Sequence, residues 1–477
     1  MTDELLVEYI THACLKFRGD FGTLICDPWI LNEPVANFSL WKFPPATLPP
    51  EQVVADVDWI YITHSHEDHL HVPSLVHFSR TTPVLISSHH DHRGARAQSM
   101  ERTLRAIGFS NIRILEPWQP LQLGTRSYFT VIPHAPSRPL GWEDSGFVLE
   151  HGETRVINLN DNNTDDALCD AINERFDHFD LALVQAAGLT IFPGQFRMSE
   201  AEMRSVVAGR RLQLSEQRRI IEQLKPRAII PIGGDVCWLD DELFHCNWAN
   251  RSTPALFEEF VAREFPDSGT QVIPCNPGDT WSSIQGVRRQ HPDIDWNHYL
   301  DEIKALKQRY QPRLKALRSW LLDCSRENLE ARSREFTAMV ASRISREKLD
   351  FNARLRLVVE HANGDQAFSF VLDASREFGL GIDWEDTEPV GQSLYVQAWA
   401  WAAVLSGKLL WNDLHWIGQI EQHRDFSPEM GYLWAWLQSN LSLGNTNIQA
   451  IIEPWPGLSR NALIALGLGV TADTSSL

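Results

Sequence analysis

The sequence lacks the segments that direct a chain into or across a membrane. No apolar run is long enough to cross a bilayer, and the acidic start Met1-Thr2-Asp3-Glu4 leads into no apolar signal region. Basic residues are scarce: 43 lysines and arginines stand against 62 aspartates and glutamates, giving a formal net charge of −19. This charge disfavours non-specific binding to nucleic acids and anionic membranes. We therefore expect a cytoplasmic protein whose partners include neither.

Cysteine is also scarce, and its pattern excludes a disulfide framework. The 477 residues contain seven cysteines, and none of them forms a CxxC pair. An odd number of scattered cysteines is typical of reduced thiols in a cytoplasmic protein. The length is ample for two or three domains.

Histidine, by contrast, is concentrated at one place. The segment HSHEDH, residues 64–69, holds three histidines and two carboxylates directly after the apolar run at 58–63. Alternate side chains of an extended chain share a direction, so His64 and His66 face one point, and the following turn lets Asp68 and His69 face another nearby. Imidazole and carboxylate suit zinc, iron and manganese. The segment therefore predicts two adjacent metal sites.

Two further candidate ligands close later strand-like runs. His134 follows the apolar run at 128–133, and Asp161 follows the run at 154–160. Polar residues at successive strand ends are typical of a shared site. Because these partners are present, we favour a metal site over a surface loop that merely happens to be rich in histidine.

The order HxHxDH, then a histidine, then an aspartate, each after a strand, resembles the metallo-β-lactamase superfamily. The resemblance implies an α/β fold of the αββα sandwich type, with a dinuclear metal site at the sheet edges. It also implies that His64, His66 and His134 hold the first metal, that Asp68 and His69 hold the second, and that Asp161 bridges them. Asp68 and Asp161 are then the candidate catalytic carboxylates.

The last ligand position departs from the superfamily pattern. Members usually carry a further histidine after a late strand, whereas the predicted strand at 227–232 runs into Gly233-Gly234-Asp235. Asp235 replaces the histidine, or His245 reaches in from the following loop, or the ligand is lost. An aspartate there would enrich the second site in oxygen and shift its preference from zinc toward iron or manganese.

Two other histidine-containing stretches need an interpretation. His12-Ala13, with the later Asp27-Pro28 turn, resembles a subgroup that includes the L-ascorbate-6-phosphate lactonases, which implies that His12 lies at the rim of the site. A lone histidine is more often structural. The stretch HHDH at 89–92 is interpreted as an exposed helix start, because the main ligand set is already nearly complete.

The second part of the chain changes character. We predict a metal-binding catalytic domain over 1–285 and a helical and α/β accessory domain over 286–477, which supplies no metal ligands. Apolar spacing at Leu300, Ile303, Leu306 and Tyr310 indicates an amphipathic helix. Later tryptophans are predicted to pack among apolar neighbours, namely Trp399, Trp401, Trp411, Trp416, Trp434 and Trp436.

Two stretches, residues 396–437 and LKPRAIIPIGGD at 224–235, resemble bacterial relatives of CMP-N-acetylneuraminate hydroxylase. The tail of that group resembles a sterol-carrier-like α/β fold. The sialic acid hydroxylase carries a Rieske domain with paired Cys-x-His motifs, and this sequence has none. The resemblance thus predicts an external electron donor.

Three functions compete. Two iron ions would support an oxygenase acting on a small polar substrate, which we favour. Zinc would support hydrolysis of an ester, lactone, amide or phosphoester, and manganese is a further alternative metal. The third is a degraded site in a binding or scaffolding protein. The C-terminal part would cover the catalytic domain, shape the substrate mouth or mediate homo-oligomer formation.

Overall fold

A computed structural model describes residues 4–88, 97–137, 144–162, 164–185, 191–210, 215–290, 294–343, 345, 352–410 and 414–422. The histidine-rich stretch at 89–92 and the tryptophans Trp411, Trp434 and Trp436 lie outside these residues. None of the helices in the described ranges is both long and apolar enough to cross a bilayer.

The strands are short, none of those described being longer than eight residues. In chain order they are β1 (Leu6–Thr11), β2 (Cys14–Gly19), β3 (Gly22–Cys26), β4 (Leu40–Lys42), β5 (Trp59–Ile62), β6 (Val84–Ser87), β7 (Ile112–Leu115), β8 (Leu121–Gln122), β9 (Ser127–Ile132), β10 (Gly146–His151), β11 (Thr154–Asn160), β12 (Leu181–Gln185), β13 (Ala228–Ile232), β14 (Val236–Trp238), β15 (Gln271–Val272), β16 (Thr280–Ser282), β17 (Gly286–Arg288), β18 (Arg354–Glu360), β19 (Gln366–Asp373), β20 (Gly381–Asp383), β21 (Gln392–Gln397) and β22 (Gln419–Gln422).

The helices separate and flank these strands. They are α1 (Pro50–Val54), α2 (Val72–Leu75), α3 (Ala97–Ala106), α4 (Asp166–Asn173), α5 (Glu200–Arg210), α6 (Ser215–Arg219), α7 (Cys246–Ala249), α8 (Pro254–Glu264), α9 (Tyr299–Leu322), α10 (Leu329–Arg343) and α11 (Ala398–Leu405), with a π-helix at Ile220–Leu224 and a 3-10 helix at Leu414–Trp416.

Two large sheets form the centre of the first part of the chain. Their strand orders are β17-β16-β1-β2-β3-β5-β6-β7 and β15-β13-β12-β11-β10-β9-β8 within the described residues. Strands β3, β5, β6 and β7 run parallel in the first sheet, as do β11, β12, β13 and β15 in the second. Parallel strands place their carboxyl ends at one edge, so each sheet offers one edge where site residues can gather.

The apolar faces of the two sheets pack against each other. Tyr61 of β5 meets Phe129 of β9 with ring centroids 4.9 Å apart, and Phe129 stacks on Phe147 of β10 at 4.7 Å. The outer faces are covered by helices: α2 and α3 pack on the first sheet, and α4, the π-helix and α8 pack on the second. Helices on both outer sides of two facing sheets make the predicted αββα sandwich.

The C-terminal part builds its own sheet, with the order β20-β19-β18-β21-β22 in the described residues. Helices α9, α10 and α11 pack on it, and Trp401 of α11 is fully buried. Trp41, Cys237 and Leu239 from the first part join the same apolar core. Contacts therefore cross the boundary at 285/286, which stays a prediction.

One element was not expected from the sequence. The prolines of residues 32–50 predict a loop, but β4 lies within this stretch and pairs antiparallel with β14. Residues Leu40–Lys42 are all buried. The pairing partner lies almost 200 residues further on, so local sequence carries no signal for this short ribbon.

Candidate metal centre

The histidine-rich segment begins directly after β5. The backbone amide of Thr63 donates to Asp27 Oδ1 (2.8 Å), and Asp27 itself directly follows β3. From the second sheet, Asn160 ends β11 and donates to Asp27 Oδ2 (2.5 Å), which brings the adjoining Asp161 to the same place. The carboxyl ends of strands from both sheets thus meet around one buried carboxylate.

Within the described residues, the potential metal ligands form two compact groups. The first group contains His64, His66 and Asp161, and the second group contains His12, Asp68 and His69. Within each group the ligand atoms lie within 4.8 Å of one another. Each group offers two imidazoles and one carboxylate.

The two groups adjoin each other. The rings of His64 and His69 lie 4.0 Å apart, centroid to centroid. Asp161 Oδ2 lies 3.8 Å from Nε2 of His64 and 3.6 Å from Nε2 of His69. This position between the groups is the one that a bridging carboxylate requires.

Asp27 fixes the orientation of His69. The carboxylate is fully buried, and its Oδ2 accepts from Nδ1–H of His69 (2.9 Å) and from the hydroxyl of Thr63 (2.8 Å). With Nδ1 protonated and held, Nε2 of His69 is the nitrogen left to bind a metal. A carboxylate behind a ligating histidine is a common means of setting its tautomer and raising its basicity.

Unsatisfied buried atoms show that the cluster suits a metal. Nε2 of His69, Oδ1 of Asp161 and Nδ1 of His12 are buried and have no hydrogen-bond partner among the described residues. Buried polar atoms are normally paired. For His69 and Asp161, a cation between the groups would supply the missing partner.

Opposite charges lie close together in the second group and shift the pKa values of its members. Burial alone would lower the pKa of His69, but the carboxylates of Asp68, Asp161 and Asp27 outweigh burial and hold that pKa well above its ordinary value. Burial would raise the pKa of Asp68, yet His69 and His12 hold it well below its usual range. The carboxylates around His69 therefore supply the negative charge that attracts a cation.

The predicted ligand His134 lies beside the site but in neither group. It is half-buried two residues beyond β9, and the carbonyl of the preceding Pro133 accepts from Nδ2 of Asn162 (2.8 Å). The loops that carry His134 and Asp161 are therefore tied together. Metal binding by His134 stays a prediction.

The two candidates for the last ligand position have other partners. Asp235 Oδ2 accepts from the hydroxyl of Tyr9 (2.6 Å) and from the backbone amide of His12 (2.9 Å), and Asp235 is in neither group. Nε2 of His245 bonds the carbonyl oxygen of Gly194 (2.7 Å). Metal binding by Asp235 stays a prediction. The Nε2 atom of His245 is engaged by the carbonyl oxygen of Gly194.

Sequence reasoning missed two residues of the centre. In the sequence, Asp27 shows only as part of a turn signal before Pro28, and the resemblance to the lactonase subgroup places His12 no nearer than the rim of the site. Both adopt left-handed backbone conformations, with φ of 44° and 54°. Non-glycine residues in that region are uncommon and often belong to functional sites, but a sequence does not display φ.

Comparison with known proteins supports the same fold. Residues 26–232 match the family model described as the beta-lactamase superfamily domain. This match covers less than half of the chain. The predicted resemblance to the superfamily and the predicted α/β fold are confirmed.

The chain is 25% identical over 303 residues to a Mycobacterium tuberculosis protein provisionally named a Rieske 2Fe-2S iron-sulfur protein, covering 60% of this chain and 56% of that protein. It is 24% identical over 241 residues to the cytidine monophosphate-N-acetylneuraminic acid hydroxylase of Mus musculus, covering 48% and 39%. The predicted resemblance to the hydroxylase group is thus confirmed. The chain spans little more than half the length of the first of these relatives.

Several solved structures align with part of the chain. CmlA, a diiron beta-hydroxylase from Streptomyces venezuelae, aligns with a TM-score of 0.38 and 16% identity over 59% of this chain and 54% of CmlA. A metallo hydrolase from Ignicoccus hospitalis aligns with a TM-score of 0.38 and 17% identity over 58% of this chain and 98% of that protein.

Proposed function

We propose that the chain is a metal-dependent enzyme with a dinuclear centre, and specifically an iron-dependent oxygenase. Its substrate would be a small polar molecule, and its electrons would come from a separate donor protein. The observation that carries the proposal is the pair of adjoining ligand groups, and the choice of iron rests on the relatives.

Each group combines two imidazoles with one carboxylate. Two histidines and one carboxylate, with coordination positions left open, are the ligand set typical of non-heme iron oxygenases. Catalytic zinc sites also use three protein ligands, two histidines and a carboxylate among them, and leave one position open. The donor set is therefore compatible with iron at both positions.

The relatives favour the same choice. One is named for a Rieske cluster, an electron-transfer group, and the other for a hydroxylase activity. The similarity to these two proteins supports oxidation over hydrolysis. The matched region covers only part of each relative, so the donor and the substrate of this chain are part of the proposal.

The residues of the site would divide the work as follows. Iron held by the two groups, once reduced by the donor protein, would supply the capacity to activate dioxygen. Asp27 keeps His69 in one tautomer, and Asp161 sits where it can reach both groups. Trp29 is fully buried with its ring 5.4 Å from that of His12, and so excludes water from that side of the second group.

A zinc hydrolase is the second candidate. Four of the six ligands in the two groups are histidines, and imidazole suits zinc as well as iron. With zinc, the centre would hydrolyse an ester, lactone, amide or phosphoester.

Metal analysis and two activity assays distinguish these functions. Protein purified without added metal, and separately the metal-free protein loaded anaerobically with ferrous iron, would be analysed for bound metal by mass spectrometry. Oxygen uptake would then be followed with NADPH, a ferredoxin reductase and a ferredoxin. Hydrolysis of p-nitrophenyl acetate and bis-p-nitrophenyl phosphate would be followed with the zinc-loaded protein.

His66→Ala is the test variant and His151→Ala the matched control, because His151 is equally a histidine of the sandwich but lies at the far end of β10. Two iron equivalents and reductant-dependent oxygen uptake, both lost in His66→Ala only, support the oxygenase. Two zinc equivalents with ester turnover would support the hydrolase. A wild-type protein that retains no metal would contradict both.

A further inference from the structure

His12 occupies an unusual turn. It connects β1 to β2 with φ of 54°, at a point where the register between these strands shifts. The side chain is buried with 2% of its surface exposed. A non-glycine residue in this conformation costs free energy, about 1–3 kcal/mol, and persists only where surrounding contacts impose it.

The loop after β13 imposes this conformation. Asp235 Oδ2 accepts the backbone amide of His12 (2.9 Å), and the backbone amide of Gly233 donates to the His12 carbonyl (3.2 Å). The hydroxyl of Tyr9 lies 2.6 Å from Asp235 Oδ2 and 3.2 Å from the same carbonyl. The backbone of His12 is therefore held on both sides of its Cα atom.

These contacts aim the imidazole at the second ligand group. Nε2 of His12 lies 3.0 Å from Asp68 Oδ2, and its ring centroid lies 5.9 Å from that of His69. Nε2 of His69 lies 3.4 Å from the same oxygen of Asp68. The three side chains thus converge on one point, with Asp68 Oδ2 between the two imidazoles.

We propose that His12 is the third protein ligand of the second metal, through Nε2, and that Asp235 is the positioning residue that holds it there. The inference rests on the proposed dinuclear centre and specifies which atom of His12 binds and which residue positions it. Asp235 stands where the superfamily pattern led us to expect a last histidine. In this chain Asp235 does not bind the metal. It positions His12, which belongs to the β1–β2 hairpin and binds the metal in its place.

The contacts of Asp235 favour this role over direct ligation. Its Oδ2 already faces two donors, the Tyr9 hydroxyl and the His12 amide, and Asp235 belongs to neither ligand group. A carboxylate oxygen that accepts two hydrogen bonds has both of its lone pairs engaged. Removing Asp235 should therefore weaken the metal indirectly, by releasing the turn that carries His12.

The test variant is His12→Gly, because glycine accepts the left-handed conformation and leaves space for an imidazole molecule. Metal-free wild type and variant would be titrated with Co²⁺ and followed by visible absorption and by equilibrium dialysis. Wild type should bind two equivalents. His12→Gly should keep the first and bind the second at least about 10-fold more weakly, and imidazole added to the buffer should restore the second.

A spectroscopic signature separates ligation from a structural role. In the Co²⁺ protein, proton NMR should show a hyperfine-shifted, exchangeable imidazole N–H from Nδ1 of His12, absent in His12→Gly. Asp235→Asn should weaken the second Co²⁺ less than His12→Gly does. His151→Ala, a buried histidine outside both groups, should leave both equivalents and the spectrum unchanged.

The outcomes are distinguishable. Wild type that binds fewer than two equivalents would overturn the proposed dinuclear function together with this inference. Wild type that binds two, with His12→Gly unchanged in affinity and spectrum, would overturn the His12 assignment alone. A larger loss in Asp235→Asn than in His12→Gly, without rescue by imidazole, would assign the ligand position to Asp235 instead.

Discussion

Asp27→Asn is the substitution that tests most directly how the centre is organised. Asp27 accepts from four donors: the amide and hydroxyl of Thr63, Nδ1 of His69 and Nδ2 of Asn160. Asparagine has nearly the same shape and tolerates the φ of 44°. The backbone should therefore stay in place while one carboxylate oxygen becomes an NH₂ group.

Either orientation of that amide leaves a donor facing a donor. If the amide oxygen takes the place of Oδ2, the NH₂ group faces the Thr63 amide, and one buried N–H loses its acceptor. We expect the metal-free protein to lose about 1–3 kcal/mol of unfolding free energy. The neutral oxygen also holds His69 less firmly than a carboxylate, so the affinity for one metal should fall about 10–100-fold.

The assay is chelator competition for the metal, combined with thermal unfolding of the metal-free protein. Asp20→Asn is the matched control. Asp20 also accepts several bonds, from Thr125 (2.7 Å) and from the amide of Arg126 (2.8 Å), at the end of the sandwich where His151 lies. It should lose stability without losing metal affinity. If Asp27→Asn binds both metals as tightly as Asp20→Asn does, the claim that Asp27 orients His69 is wrong.

Two further predictions concern other buried groups. Burial lowers the pKa of Lys42 to about 7, below the ordinary lysine value of 10.5. Between these two pH values the unfolded chain keeps a proton on Lys42 that the folded chain has lost. The unfolding free energy should therefore rise with pH across this window, by at most about 1.4 kcal/mol per pH unit. Denaturant titrations should show this rise in wild type and in Lys16→Met but not in Lys42→Met; an unchanged slope in Lys42→Met would refute the assignment. Asn37 makes two hydrogen bonds of 2.8 Å with the backbone of Leu410. Asn37→Ala should therefore lower the unfolding free energy by about 1–3 kcal/mol in the same titrations. Asn173→Ala removes a single exposed hydrogen bond and should leave the unfolding free energy nearly unchanged.

The sequence by itself determined the parts of the site that depend on short-range patterns. The strand before His64 and the strand before Asp161 each show as an apolar run, and β5 and β11 form there. Ligands spaced one to five residues apart along one extended segment and its turn keep their relation wherever the fold places them. HSHEDH therefore predicted a metal-binding segment without knowledge of its surroundings.

The tertiary structure alone decided how His12 and Asp235 enter the site. They lie 223 residues apart, and the bond between the His12 amide and Asp235 Oδ2 exists only because the β1–β2 turn meets the loop after β13. The left-handed conformation of His12 is set by that contact and not by its own preference, which runs against it. A contact between distant segments leaves no periodicity in either of them, and so the sequence left the last ligand position open.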